Sequence, residues 1–309
     1  MVADAGACVL VIGSVNTDLV CRVAALPRAG ETLRGLDFAT YPGGKGANQA
    51  VAAARAGALV TLVGAVGDDA FGAARRAELA ADHIDISRLR GVAGVPTGTA
   101  LIVVDAAGEN QIVIVPGANA AVTVADALDA LANVPHVALS LTLETPFETV
   151  AAVLTHARAG VCVVLNAAPF DARLHDVLPL VDVLICNQPE AAALLGHSIG
   201  SDSVPAAGEL SALGPHAVIV TLGAAGAAFA SADGVGWIQA PRVRAVDATG
   251  AGDAFCGAFT AWLAADGPFE QAVRAGVAAG ALAVTRHGAQ PSLPRRAEIL
   301  DMLSALETA

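Results

Sequence analysis

Asp253 closes a glycine-rich run, Thr249-Gly250-Ala251-Gly252, inside the stretch AVDATGAGDAFCGAF at residues 245–259. Glycines let a chain turn tightly and let backbone amides approach a ligand. A helix opening at this point would direct free N–H groups at an anion such as a phosphoryl group in transfer. A carboxylate at its mouth could accept a proton there. Taken alone, the same residues also suit an aspartate at the N-cap of a helix after a glycine turn. The run is neither GxxxxGK[ST] nor a GxGxxG after a first strand.

A second candidate is TYPGGKGANQA at residues 40–50, where Gly43, Gly44 and Gly46 surround Lys45 and Asn48 follows. One cation and one amide on a glycine run can lie against a polyhydroxy ligand, although a helix-entry loop has the same composition. In GSVNTD, residues 13–18, Asn16 and Asp18 would present two polar tips on one face of an extended segment; an Asx turn is the competing reading. CNQPEA, residues 186–191, offers Asn187 and Glu190 to phosphates or a hydrated divalent ion, or simply starts a helix with Pro189 in its first turn. TLGAAG at 221–226 and TRHGAQPS at 285–292 are turns that expose backbone groups, and Glu144 is a lone acid in LTLETP.

Short β-branched runs must position these turns. Strands are expected at 8–13, 59–63, 137–141, 161–166, 183–186 and 217–221, with helices at 47–56, 71–81, 146–159, 190–195 and 206–213. Aliphatic strands alternating with helices predict a mostly parallel sheet covered on both faces, and ligands bind at the strand ends of such sheets. Two stretches break the rhythm. Residues 20–41 carry Pro27, Gly30 and Gly35, and residues 99–115 read as a hairpin. Together they are expected to form a small β sheet, a lid over the α/β core. Helices at 254–265, 269–286 and 295–306 complete the chain, read as one domain over 1–309 with a discontinuous lid at about 15–42 and 97–116.

Composition narrows the function. The 309 residues carry 17 Lys and Arg against 29 Asp and Glu, a net charge of −12, with no basic stretch, which excludes a nucleic-acid or anionic-membrane surface. Although 55% of residues are apolar, no aliphatic run approaches the length of a spanning helix. Five scattered cysteines, none in a CxxC pair, and an N-terminus without a basic and apolar leader predict a reducing, cytoplasmic setting. The seven histidines lack metal-ligand spacing. A first strand ending GSVNTD argues against a dinucleotide-dependent enzyme on a doubly wound sheet.

Taken jointly and in order, GSVNTD, PGGKGANQAVAAARAG, NQPEA, TLGAAG, DATGAGDAFCGAF and TRHGAQPS resemble the phosphofructokinase B-type (ribokinase-like) carbohydrate kinases, from roughly residue 9 to 294. The resemblance implies a three-layer α/β/α core with a β lid. It implies Asp253 as catalytic base and Gly250, Ala251 and Gly252 as an anion hole. Asn16, Asp18, Gly44, Lys45, Gly46, Ala47, Asn48 and Glu144 match the sugar-binding set. Asn187, Thr221, Leu222, Gly223, Ala224, Ala225 and Gly226, with Gly252 and Asp253, match the ATP-binding set. Glu190 belongs to a Mg²⁺-associated element. Asp247, Thr249, Ala283, Arg286, Gly288 and Ser292 match a site for an activating K⁺, bound mostly through carbonyls. GGKGAN, PGAN at 116–119 and TRHGAQPS look most like members that phosphorylate the 5-hydroxyl of D-ribose. Deoxyribose, fructose or adenosine are alternative acceptors, and silent sugar binding is a more distant alternative. The lid implies a homodimer. Val277 departs from the family, whose members often carry Asn or His there near the adenine.

Overall fold

Alternation along β1 (Cys8–Ile12) sends Val9 and Val11 to one face of a sheet and Leu10 and Ile12 to the other, all buried. The computed structural model describes residues 7–200 and 203–307; residues 1–6, on which part of the N-terminal reading rests, lie outside it. β2 (Asn16–Arg22) and β3 (Asp37–Gly43) lead into α1 (Lys45–Arg55), β4 (Leu59–Gly67), α2 (Ala70–Ala81) and β5 (Leu89–Val92). The hairpin of β6 (Gly98–Val104) and β7 (Asn110–Val115) turns through Gly108. Then come α3 (Val124–Asn133), β8 (Ala138–Leu141), α4 (Phe147–His156), β9 (Cys162–Asn166), β10 (Val183–Asn187), α5 (Gln188–Leu195) and α6 (Val204–Ser211). β11 (Ala217–Thr221), β12 (Ala227–Ser231), β13 (Gly234–Ile238), α7 (Ala251–Ala264), α8 (Phe269–Ala283) and α9 (Arg296–Glu307) follow.

The large sheet has nine strands in the order β13-β12-β11-β10-β9-β8-β1-β4-β5. It is parallel from β11 to β5, and β12 and β13 add an antiparallel edge. One face packs against α1, α7, α8 and α9 through Ala47, Val51, Phe255, Phe259, Val273 and Ile299. The other packs against α3, α4, α5 and α6 through Leu131, Val150, Val153, Leu194 and Leu210. Each fully buried aliphatic side chain contributes about 1.5–3 kcal/mol, and both faces of the strands carry them. The expected three-layer α/β/α core is the one observed.

Small residues set how closely the helices meet. A Cβ on Gly257 of α7 would lie 2.6 Å from Gln49 O and 2.8 Å from Ala53 N of α1. The two helices therefore touch backbone to backbone, and this contact brings the side chains of residues 48 and 49 onto the first turn of α7.

The second sheet has the order β3-β2-β6-β7. β2 runs antiparallel to β3 and parallel to β6, and Asn16 pairs with Gly43 on one side and Gly98 on the other. Thus the two irregular stretches do pair into one sheet, standing off the C-terminal ends of β1 and its neighbours.

Candidate active site

The strand ends gather the predicted Asn16, Glu144, Asn187 and Thr221 at one edge of the large sheet, together with Ser14 and Asn166, which were not predicted. β1 leads through Ser14 to Asn16 at the start of β2, β8 leads to Glu144, β9 ends at Asn166, β10 at Asn187 and β11 at Thr221. The glycine run does not begin its helix where the sequence suggested. Gly250, at φ +77°, is the N-cap, α7 starts at Ala251, and Asp253 is its third residue. The left-handed φ and the close approach of Ala289 Cα, 2.9 Å from a notional Cβ, both exclude a larger residue at 250.

Asp253 is therefore not a capping residue, and the cap reading is corrected: no side chain caps α7. Its carboxylate is buried and points across to α1. Asn48 Nδ2 donates to Asp253 Oδ2 at 2.8 Å, and Gln49 Nε2 donates to Oδ1 at 3.2 Å. Burial pushes the Asp253 carboxyl up, against the pull of the Lys45 ammonium and of these two amides. The Asp253 carboxylate in turn raises Lys45, with Glu144 and Glu190 acting the same way. Beside the carboxylate the helix begins without a side-chain cap, its Ala251 N–H donating to Ala248 O at 3.3 Å within the turn.

Asp18 lies in β2, not in an Asx turn, and its carboxylate packs onto the Cα of Gly43, a position no side chain could share. Burial pushes it up to about 6, with Glu144 and Asp253 adding to the rise. Asn16 Oδ1 accepts from Asn119 Nδ2 at 2.7 Å, and Asn119 Oδ1 accepts from Val15 N at 2.8 Å. Glu144 is not a solvated acid. Its Oε2 accepts from Ser14 Oγ at 2.5 Å and from Lys45 N at 3.0 Å, so it pins the start of α1 to the end of β1. Gly44, Gly46 and Ala47 form that first turn, where Ala47 N bonds Ser14 O at 2.9 Å.

On the opposite flank, Asn187 Oδ1 accepts from Glu190 N and Glu190 Oε2 accepts from Asn187 N, each at 2.9 Å. Both side chains thus close a capping box on α5, the helix-start reading, while burial raises the Glu190 carboxyl. Thr221, Leu222 and Gly226 frame a tight turn closed by Leu222 N on Gly226 O at 2.8 Å, with Gly223, Ala224 and Ala225 exposed at its tip.

Asp247 links the glycine turn to the 285–292 loop. Its Oδ1 accepts from Thr249 N at 2.9 Å and Thr249 Oγ1 at 2.6 Å, and its Oδ2 accepts from Gly288 N at 2.9 Å. Ala283 O accepts from Arg286 N at 3.1 Å, and the Arg286 guanidinium pairs with Glu298. Ser292 Oγ donates to Ala289 O at 2.7 Å. These oxygens, one carboxylate among carbonyls and hydroxyls, are hard donors of the kind an alkali cation takes. Among the described residues no three His, Cys, Asp or Glu side chains stand together as a metal centre.

The pfkB family carbohydrate kinase model matches residues 7–296. The chain belongs to the pfkB family of carbohydrate kinases. It is 38% identical to a ribokinase of Haemophilus influenzae over 298 residues, covering 95% of this chain and 97% of that protein. It is 39% identical to a ribokinase of Bacillus subtilis, covering 96% and 99% of the two chains. The structure of Arabidopsis thaliana ribokinase complexed with ribose and ATP superposes with a TM-score of 0.87 at 30% identity, covering 96% of this chain and 99% of that one. The fold is thus the ribokinase-like α/β fold, and this pfkB-family member is a sugar kinase. No helix among the described residues is long and apolar enough to cross a membrane.

Sequence reasoning missed several further residues at this pfkB-family site. Gln49 and Asn119 hold Asp253 and Asn16, although both stood inside quoted motifs. Gln290 Nε2 donates to Asn48 Oδ1 at 3.1 Å, and Arg55 clamps the same loop through Gln290 O and Leu293 O at 2.6 and 3.0 Å. Val277 is a buried core residue of α8. Burial raises the thiols of Cys162, Cys186 and Cys256, the last two lying in the core and Cys162 half-buried against it.

Proposed function

We propose that the protein transfers the γ-phosphoryl group of ATP to the 5-hydroxyl of D-ribose, giving D-ribose 5-phosphate and ADP. One observation carries this reading: a buried carboxylate, Asp253, on the first turn of an uncapped helix, held by two amides of α1 and faced by Lys45. Phosphoryl transfer asks for positioning, charge stabilisation and exclusion of water rather than covalent chemistry.

Asp253 takes the proton of the acceptor hydroxyl as its oxygen attacks the γ-phosphorus. Gly250, Ala251 and Gly252 direct amides at the transferring group, whose charge they stabilise. Asn16, Asp18, Gly44, Lys45, Gly46, Ala47, Asn48 and Glu144 surround the sugar. The ATP side is Asn187 and the turn Thr221 to Gly226, with Gly252 and Asp253 at the phosphates. With Mg²⁺ carried in on ATP to neutralise phosphate charge, Glu190 would face its water shell. Asp247, Thr249, Ala283, Arg286, Gly288 and Ser292 would hold a K⁺, chiefly through carbonyls, whose charge would order the glycine turn without touching substrate. The second sheet, within residues 15–42 and 97–116 of a single domain, is a lid, and a homodimer forms through it. The reaction belongs to the cytoplasm.

ADP release measured across ribose, deoxyribose, fructose, adenosine and inosine, with and without K⁺, tests this. Ribose is expected to give the highest kcat/KM. A nucleoside ahead of ribose by about tenfold, a difference of about 1.4 kcal/mol in transition-state binding, overturns the choice of acceptor.

A further inference from the structure

A base at a helix mouth needs something to fix it in one orientation, and Gln49 is the side chain placed to do so. It is buried, at 1% exposure, and its side-chain hydrogen bonds run to Asp253, Asn166 and Ser140. Its Nε2 donates to both Asp253 Oδ1 and Asn166 Oδ1 at 3.2 Å, while its Oε1 accepts from Ser140 Oγ at 3.1 Å. Asn166 is oriented in turn, because its Nδ2 donates to Ile185 O at 3.2 Å. Only the NH₂ end of Gln49 can serve two acceptor oxygens, and only its carbonyl can take the serine hydroxyl. The amide is thus locked from the ends of β8 and β9, and Asp253 is tied through it to the rigid centre of the sheet.

The two carboxylate oxygens have different neighbours. Oδ2 meets Asn48, whose own Oδ1 is held by Gln290 at 3.1 Å, whereas Oδ1 meets the buried Gln49. We infer that Gln49 is the positioning residue of the catalytic base: it clamps Asp253 Oδ1 to the sheet so that Oδ2 is the oxygen presented to the acceptor hydroxyl. This rests on Asp253 being the base.

Removing the clamp has two consequences. Asp253 gains rotational freedom, and its ionised form loses one donor, which shifts its titration upward. The other groups that face Asp253 are Lys45 of α1, Asp18 of β2, Glu144 after β8 and Cys256 of α7, with Glu190 of α5 acting on Lys45. None of them is altered by substitution at 49.

Gln49→Met keeps the length and packing of the side chain and removes its hydrogen bonds. At pH 7, kcat is expected to fall about 10-fold or more, within the range of general-base contributions. KM for ribose and for ATP stays within about twofold, since Gln49 meets neither. The acid limb of the kcat–pH profile moves to higher pH, by about half a unit or more. Ser140→Ala, which removes only the lock on Gln49 Oε1, is expected to lower kcat about 2–5-fold and shift the limb in the same direction. Wild-type kcat and an unmoved limb in Gln49→Met overturn the inference; if that variant fails to fold, an unmoved limb in Ser140→Ala does so. Asp253→Asn in the same assay separates the two claims. Wild-type turnover there defeats the assignment of the base itself, whereas its loss alongside an unaffected Gln49→Met defeats the clamp alone.

Discussion

Asn48 and Asp253, 205 positions apart in the chain, meet in a 2.8 Å hydrogen bond at the floor of the cleft. The bond exists because α1 and α7 touch at Gly257, where the backbone of Gln49 and Ala53 occupies the space a side chain would need. One helix therefore brings the residues expected to bind the sugar, the other the residue expected to deprotonate it, and neither can move without the other.

Asp253→Ala is expected to lower kcat by about 10²–10⁴-fold, the usual contribution of a general base, with little change in KM. The fold should survive, because the substitution removes a buried carboxylate whose charged form burial already disfavours. ADP release and a thermal melt check both halves. Wild-type-like turnover would sink the assignment.

Asp18 carries a pH signature. Its carboxyl is pushed up to about 6, first by burial and then by Glu144 and Asp253. The ionised form is the better acceptor for sugar hydroxyls, so KM for ribose should fall as pH rises through about 6. Stability runs the other way. The folded state holds a proton that the unfolded state has released between about 3.8 and 6, so the contribution of Asp18 is present at low pH and lost as pH rises through about 6. Asp18→Asn should flatten the KM profile and melt higher than the parent at pH 7, with the difference closing near pH 4. A KM for ribose independent of pH from 5 to 7 in the parent refutes this.

Much of this was legible in the residues. The aliphatic runs of β1, β8, β9, β10 and β11 are continuous because both faces of a parallel strand are buried, so periodicity and fold agreed. β12 and β13 were not anticipated, since Ala227–Ser231 and Gly234–Ile238 are rich in Ala and Gly and take their strand character from pairing with β11. The start of α7 was misjudged by three residues because the left-handed φ of Gly250, not a polar side chain, sets it. Gln49 was invisible for a different reason. A glutamine within an alanine-rich helix has no local signal, and its partners lie 91, 117 and 204 positions away.

Asp247 ties the glycine turn to the 285–292 loop, and its carboxyl is held low: burial pushes it up, but hydrogen bonds from Thr249 and Gly288 outweigh that. Asp247→Ala should abolish stimulation by KCl and lower basal kcat. KCl, but not LiCl, should also raise the Tm of the parent by about a few degrees through binding to the folded state alone, and should not raise that of the variant. A Tm indifferent to K⁺ in the parent removes the cation site from the proposal.

Trp237 reaches the 221–226 turn, proposed to hold the nucleotide, from the edge strand. Its indole N–H donates to Ala225 O at 2.9 Å across the β12–β13 hairpin. Trp237→Phe keeps the ring and loses that bond, which is worth about 1 kcal/mol. KM for ATP should rise about 2–5-fold, with KM for ribose unchanged. Equal effects on both substrates would show that the hairpin supports the fold rather than the turn.

The second sheet, proposed as the lid, presents an unusual edge. Every residue of β7 is exposed, and Leu101 and Val113 face each other across β6 and β7 at 46% and 60% exposure, with Val115 beside them at 43%. A bare apolar strand at a sheet edge invites pairing with another chain. The register sets this face apart from the one bearing Asp18, which shares its side of the sheet with Ala100 and Ile114. A charge introduced on the Leu101 face therefore tests association without touching the sugar side. Leu101→Lys combined with Val113→Lys should convert a dimer into a monomer by light scattering. Any rise in KM for ribose should then follow from loss of the partner that steadies the lid, and should grow on dilution of the parent protein. A parent chain that scatters as a monomer at assay concentration leaves the lid working alone and disposes of the dimer.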